Sequence, residues 1–352
     1  MVIQNNMPDS FKSKLAQNKK NHFDERFLRM FCCLKGVLLM FFTLICISEC
    51  QLCYAQNEMQ YGGTANLPII VNPGSAGKSG AVEAIGAFRK QWTGFKGSPQ
   101  TTLLSVDAEV KFLGNFHGVG ASVYNDTDGP LTTMNINASY SYHIDLSKGL
   151  LGLGLRVGVM NVAFKLSDLK PSVDGGENDY HQSSDMALQG SDSSGSAFDA
   201  GVGAYYQSDA SYVGFSLLHV NAPSVELNSG AKIKSRPLMT VGASRKLETT
   251  GTVSFEPSMF FKTDFASWQM EVIGAADFRK VFSAGLGYRL QDAIFFPFWV
   301  NLSNGLRVGY TYDLCVSALH RYNGGSHELA ASYTFNIDVE KRNKRYKSVR
   351  IL

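Results

Sequence analysis

The sequence lacks any hydrophobic run that could cross a bilayer as a helix. Its longest apolar run is Val37–Ile47, eleven residues, whereas a spanning helix needs about 20. Together with a mean hydropathy of −0.08, this excludes a bundle of membrane helices. The run follows Lys35, has the length of a signal-peptide core, and is followed by the small residue Ala55. We predict a leader and signal peptide over residues 1–55, with Met30 as a candidate functional start and Gln56 as the mature N-terminus.

Cysteine is nearly absent from this predicted mature chain. Five of the six cysteines precede residue 56: Cys32, Cys33, Cys46, Cys50 and Cys53. Only Cys315 remains, which excludes an internal disulfide and a cysteine-based metal site. Lipidation is less favoured, because a modified cysteine needs a small residue before it, and Cys50 and Cys53 follow Glu49 and Leu52.

A net charge is also lacking once the leader is removed. Seven of the 33 Lys and Arg and four of the 30 Asp and Glu precede residue 56, which leaves 26 of each sign. This balance indicates no nucleic-acid partner. It conceals a basic tail, residues 339–352, with one acid, Glu340, and six cations: Lys341, Arg342, Lys344, Arg345, Lys347 and Arg350. We expect either a solvated tail or a docking segment for an acidic periplasmic component.

The sequence does contain strict alternation of apolar and polar residues. Residues 131–146, LTTMNINASYSYHIDL, place Ile136 and Tyr140 on one side and Asn137 and Ser141 on the other, as a strand with one apolar face does. Fourteen strand-like runs follow one another: 82–92, 101–112, 117–125, 132–146, 149–165, 197–208, 211–222, 236–248, 251–263, 268–279, 281–291, 293–302, 306–314 and 327–338.

The connections between these runs alternate in length. Those after even-numbered runs are all short, whereas those after odd-numbered runs include 166–196, 223–235 and 315–326. An outer-membrane barrel has this asymmetry, and closure leaves no backbone group unpaired in lipid. We therefore predict an all-β fold, a transmembrane antiparallel β-barrel of about 14 strands over residues 82–338, with short periplasmic turns and longer extracellular loops. Residues 56–81 would form a periplasmic or lumen segment.

Two further expectations concern particular side chains of the barrel. Aromatic residues near run ends are candidates for girdles at the membrane interfaces: Trp92, Trp268, Phe298, Trp299, Tyr333 and Phe335. Pro257 and Pro297 lie inside predicted strands, where each removes a hydrogen-bond donor, so we expect bulges or local kinks there.

No pattern in the sequence indicates catalysis, a cofactor or a metal. The stretch GLGLRVG at 152–158 has glycines inside a strand and no helix after it, so we interpret them as small lumen-facing positions rather than a phosphate loop. NDTDGP at 125–130 is more typical of a turn than of a calcium site. No serine, histidine and carboxylate set has catalytic spacing. An enzyme is therefore not the expected class.

Four motifs together resemble the PorP/SprF family of type IX secretion system membrane proteins. They are NPGSAG at 72–77, RKQWTGFKGSPQT at 89–101, RVGYTYD at 307–313 and GGSHELAASYTF at 324–335. The matching positions are Asn72, Pro73, Ala76, Gly77, Arg89, Gln91, Trp92, Gly94, Gly97, Pro99, Thr101, Gly309, Tyr310, Tyr312, Asp313, Gly325, Ser326, His327, Glu328 and Tyr333. The resemblance implies an outer-membrane barrel of a secretion or gliding apparatus. It implies a secreted or surface-anchored partner protein and no cofactor.

The motif residues have two possible roles, folding and partner contact. Gly94, Gly97 and Pro99 suit a tight loop and Asn72-Pro73 suits a turn, while His327 and Glu328 could serve a loop hydrogen bond or a partner.

A pore for small solutes is the alternative function, since fourteen strands approach the size at which barrels hold water. An open lumen would favour transport, and a lumen plugged by residues 56–81 or by the 166–196 loop would favour docking.

Overall fold

A computed structural model of the chain describes residues 59–62, 67–95, 97–165, 192–250, 252–302 and 304–335. The predicted leader, residues 166–191 of the long loop and the basic tail lie outside these residues. Within the described ranges, no helix is both long and apolar enough to cross a membrane.

Antiparallel β-strands make up most of the described chain. The strands are β1 (Val82–Lys90), β2 (Gln100–Phe112), β3 (Asn115–Asp128), β4 (Leu131–Leu146), β5 (Gly149–Phe164), β6 (Ser193–Gln207), β7 (Ser211–Leu218), β8 (Ser224–Glu226), β9 (Lys232–Lys234), β10 (Leu238–Arg245), β11 (Leu247–Thr250), β12 (Val253–Thr263), β13 (Trp268–Phe278), β14 (Phe282–Arg289), β15 (Ala293–Asn301), β16 (Leu306–Cys315) and β17 (Ser326–Phe335). Before them lie a short helix, α1 (Pro68–Val71), and a 3₁₀ turn, Pro73–Ser75.

The main sheet closes on itself. β1 pairs with β17, and β10 pairs with β12. β10 and β11 are separated only by Lys246, and both pair with β12, so together they count as one barrel strand. The 15 segments of the sheet therefore form 14 barrel strands. The predicted fold, a closed antiparallel barrel of about 14 strands, is confirmed. β8 and β9 form a separate hairpin.

The barrel has its polar side chains inside and its apolar side chains outside. In β4 the side chains of Asn135, Asn137 and Ser141 are buried, whereas Ile136 is 52% exposed. Leu104 of β2 is 64% exposed, and other strands show the same arrangement. Exposing so much apolar surface to water would be unfavourable, so the medium around the barrel is lipid.

The two ends of the barrel differ in their connections. At one end, which we call the turn end, strands are joined by two to four residues, as at 113–114, 147–148 and 302–305. At the other, the loop end, the connections include 91–99, 219–237 and 316–325. The β8–β9 hairpin packs Val225 and Leu227 against β5 at the loop end.

Two expectations about side chains need correction. Trp299 is 5% exposed and faces the lumen, so its girdle assignment is wrong: the residue lies near the end of β15, but on the lumen side of that strand. Trp268, Phe298, Tyr333 and Phe335 are exposed on the outer face, and Trp92 lies in a loop at the loop end.

The two prolines interrupt the sheet without producing bulges. β10–β12 pairing stops at Ser258, next to Pro257, and pairing resumes in the same register in β11. The β14–β15 ladder is likewise unpaired at Pro297 and resumes in register. Each proline lacks the N–H that the neighbouring strand would bind, so only one side of its strand is affected.

Candidate functional site

The lumen is occupied by residues 59–62 and 67–80, which we call the plug. Pro68 begins α1, and Pro73 begins the 3₁₀ turn. Proline suits both positions because the first turn of a helix leaves its N–H groups without partners. Asn72, between the two, accepts a hydrogen bond on Oδ1 from Gly74 N at 2.9 Å and so caps the 3₁₀ turn.

Asn72 also joins the plug to the barrel wall. Its Nδ2 donates to the carbonyl oxygens of Ala204 in β6 at 3.0 Å and Phe215 in β7 at 3.1 Å. The turn expected at Asn72-Pro73 is therefore present, and the same amide makes a second set of bonds across more than 130 residues of sequence. No local pattern could have indicated those bonds.

The glycine-rich stretch 152–158 is one place where the plug backbone lies directly against the wall. A Cβ atom at Gly152 or Gly154 would overlap the backbone of Gly74. These lumen-facing positions must therefore be small, as predicted, and the reason is the passage of a second backbone. Gly118 has the same role beneath Ala76.

Polar side chains of the wall satisfy the backbone of the plug. Ser141 Oγ donates to the Gly74 carbonyl at 2.9 Å, and His143 Nε2 lies 2.9 Å from the Ala76 carbonyl. Asp107 accepts from Gly77 N at 2.8 Å. Arg156 donates to the Ile69 carbonyl and Ser216 to the Val71 carbonyl.

With the Asn72 bonds to β6 and β7, these contacts involve five strands, β2, β4, β5, β6 and β7, so the plug is part of the folded barrel rather than a loose insert.

A buried group of charges, which we call the ion-pair network, lies near the loop end. Arg89 of β1 binds Asp313 of β16 at 2.6 Å and Glu328 of β17 at 3.3 Å. Arg289 of β14 binds the same Asp313 at 3.1 Å and Glu271 of β13 at 2.8 Å. All five side chains are at most 6% exposed.

The ion-pair network also holds the beginning of the plug. Glu328 Oε2 accepts from Gly62 N at 2.7 Å, and Arg289 Nη2 donates to the Tyr61 carbonyl at 3.2 Å. Because a buried charge that loses its partner is costly, the network fixes the wall and the plug together. Three of the four motifs, those of Arg89, Asp313 and Glu328, meet here, and the fourth supplies Asn72.

The remaining motif residues lie in or beside the loops at the loop end. Gln91 N donates to the Pro99 carbonyl at 2.9 Å. Gly94 and Gly97 have φ of 109° and 77°, which glycine adopts without strain, so the tight loop expected from this motif is present. Trp92 N donates to Ser326 Oγ at 3.1 Å.

The motif residues Tyr310, Tyr312, His327 and Tyr333 face away from the lumen. His327 Nδ1 lies 2.7 Å from the Tyr310 hydroxyl, and Tyr312 donates from its hydroxyl to the Gly324 carbonyl at 3.2 Å. Glu328, the neighbour of His327, points inward to Arg89, because successive strand residues alternate. The six cations of the tail lie outside the described residues.

Arg289 was not among the predicted site residues. The only local signal for Arg289, and for its partner Glu271, is that a charged residue lies on the lumen side of a strand. Their convergence with Asp313 depends on pairing between β13, β14, β15 and β16, which short-range periodicity does not contain.

Comparison with known proteins gives one family and several structures of similar fold. Residues 54–333 match the family model described as type IX secretion system membrane protein PorP/SprF. No curated protein matches the chain.

Among solved structures, the Ralstonia pickettii toluene transporter TbuX is 9% identical, with a TM-score of 0.45 over 76% of this chain and 93% of that one. Acinetobacter baumannii Omp33 is also 9% identical, with a TM-score of 0.42 over 72% and 98%. The monoaromatic hydrocarbon channel CymD is 13% identical, with a TM-score of 0.42 over 81% and 95%.

Proposed function

Because the chain belongs to the PorP/SprF family of type IX secretion system membrane proteins, we propose that this outer-membrane barrel assists the export or surface attachment of a large partner protein. The role is non-enzymatic and needs no cofactor. The proposal includes the division of the chain into leader 1–55, lumen segment 56–81, barrel 82–338 and periplasmic tail 339–352.

The plug is the observation that carries this proposal over the alternative of a solute channel. A channel needs a continuous path, and here wall side chains bind the plug backbone at Tyr61, Gly62, Ile69, Gly74 and Gly77. A filled barrel is better suited to present its two ends to other proteins. The pore remains the second candidate, and it would require the plug to move.

The two ends would serve different partners. Following the usual asymmetry of outer-membrane barrels, the loop end faces outside, where the secreted or surface-anchored protein would lie near Trp92, Tyr312 and His327. The turn end faces the periplasm and other secretion components. The tail follows β17 at that end, so its cations would be available to an acidic component.

The test compares cells that lack this protein with cells that carry it back. Quantitative mass spectrometry of shaved surface and culture medium should show the loss of one or a few proteins in the deletion strain and their return on complementation. Conductance of the purified barrel in planar bilayers should stay near the baseline. If the deletion leaves the surface proteins unchanged and the purified barrel conducts ions well above the baseline, the channel would be supported instead.

A further inference from the structure

A polar chamber of about 490 Å³ lies at the turn end of the lumen. Turn residues 208–211 form part of its rim, and Lys78 of the plug is in its lining. The plug therefore bounds the chamber on its inner side. A concave polar cavity of this size is typical of a binding site.

Four cations line this chamber: Lys78, Lys246, Lys280 and Arg307. Within the described part of the chain none of them makes an ion pair, whereas Arg89 and Arg289 near the loop end make two and three. Their donors are available to a ligand that enters from the periplasmic side.

Arg307 is held in place for such a ligand. Its guanidinium carbon lies 4.4 Å from the ring centre of Trp299, a cation–π contact that fixes the plane of the group. Trp299 in turn lies flat on Gly309, where a Cβ atom would overlap the indole. Arg307 Nε is buried and has no hydrogen-bond partner among the described residues. A fixed arginine fork with an unused donor matches the geometry of a carboxylate.

The rest of the lining favours a peptide over a simple anion. Asp209, Glu256 and Asp277 are also present, so a bare anion would meet charges of both signs. Glu256 already accepts from Ser244 at 2.7 Å. The rings of Tyr205 and Tyr212 are stacked at 5.4 Å, and the buried Tyr212 hydroxyl lacks a partner in the described chain. A peptide brings N–H donors, carbonyl acceptors and side chains to such a mixed surface.

We propose that the turn-end chamber binds a carboxylate-bearing peptide segment of a periplasmic partner, with Arg307 as the carboxylate receptor and Lys246 and Lys280 beside the mouth. This inference rests on the proposed function and adds to it the site and the chemistry of one partner. The tail would attract an acidic partner at long range, and the chamber would recognise its carboxylate at short range.

The experiment uses the full chain, processed as in cells, in lipid nanodiscs. Fluorescence anisotropy measures binding of a labelled tetrapeptide GGED with a free carboxyl end, beside its neutral counterpart GGQN-amide. We expect the acidic probe to bind at least tenfold more tightly, with an affinity that falls as salt rises from roughly 0.05 to 0.5 M. Arg307→Gln should weaken binding at least tenfold and Lys246→Gln severalfold.

Lys148→Gln is the matched control, because Lys148 is an exposed cation of another turn at the same end. It should leave binding unchanged. Heat modifiability on gels verifies that each barrel is folded, and Lys280→Gln, in an exposed turn, replaces Arg307→Gln if that variant does not fold. Equal binding of the two probes, or of wild type and the folded chamber variants, would overturn the inference. Surface proteins that still depend on the protein would leave the proposed function standing in that case.

Discussion

Arg89 and Asp313 are 224 residues apart in sequence, and their side chains meet at 2.6 Å inside the barrel. The contact exists because β1 pairs with β17, the neighbour of β16, which closes the sheet. Arg89 thus joins the first strand to the last two, at the level where the plug begins. Barrel closure and plug binding depend on the same side chains.

The ion-pair network should be required for stability. Arg89→Gln leaves Asp313 and Glu328 short of one buried partner, a loss of about 3–5 kcal/mol, and should lower the temperature at which the barrel unfolds on gels. Lys148→Gln, in an exposed turn, should have no effect. Arg89 and Asp313 contact each other, so each single change removes the same ion pair. The double variant Arg89→Gln with Asp313→Asn should therefore lose less stability than the sum of the losses in the two single variants. Additive losses would show that the pair is not coupled.

The plug should be displaced by a side chain where two backbones touch. Gly154→Val places a branched side chain against Gly74, so the barrel should assemble with its plug shifted. Protease should then reach the plug, and conductance in planar bilayers should rise above that of wild type. Gly86→Ala is the control, since a Cβ atom there meets only Leu104 at 3.4 Å. A Gly154→Val barrel with wild-type conductance and protease resistance would contradict the packing described here.

Most of the barrel could be predicted from sequence, because a strand sends alternate residues to opposite faces and that period is local. The path of the plug could not. The plug residues, 59–62 and 67–80, have no periodicity, and several of their backbone atoms bond to distant wall side chains such as His143 and Ser141. The family resemblance indicated Arg89, Asp313 and Glu328 as motif residues. It did not indicate that they contact one another, because that contact depends on closure of the barrel between β1 and β17. Trp299 does not lie in a girdle because it shares the buried, lumen-facing side of β15 with Ala293 and Phe295.

The two faces of the wall should respond differently to charge. Val106 and Leu153 are each 45% exposed on the outer face, so Val106→Arg or Leu153→Arg puts a charge into lipid at about 2–4 kcal/mol near the midplane. Both should assemble poorly. Glu256→Gln, on the lumen side, keeps an acceptor for Ser244 and should assemble like wild type. Equal yields on the two faces would refute the assignment.

The lumen side is not uniformly tolerant, however. Alternation alone predicts that a polar substitution is harmless at every charged lumen position. Asp107 binds Gly77 of the plug and Glu271 binds Arg289, so Asp107→Asn and Glu271→Gln should be less stable than Glu256→Gln. The same gel assay measures this difference.

The basic tail should affect partner binding and not barrel folding. Truncation after Val339 leaves every described strand intact, since β17 ends at Phe335, so the heat-modified band should be unchanged. It removes six cations and one acid, and attraction between exposed charges weakens as salt screens them. Co-purification of acidic periplasmic components should therefore fall, with the largest difference from wild type at low salt. A variant with the six cations replaced by Gln keeps the length of the tail and should behave like the truncation. If both recover the same components as wild type at every ionic strength, the tail is only solvated and the docking hypothesis is wrong.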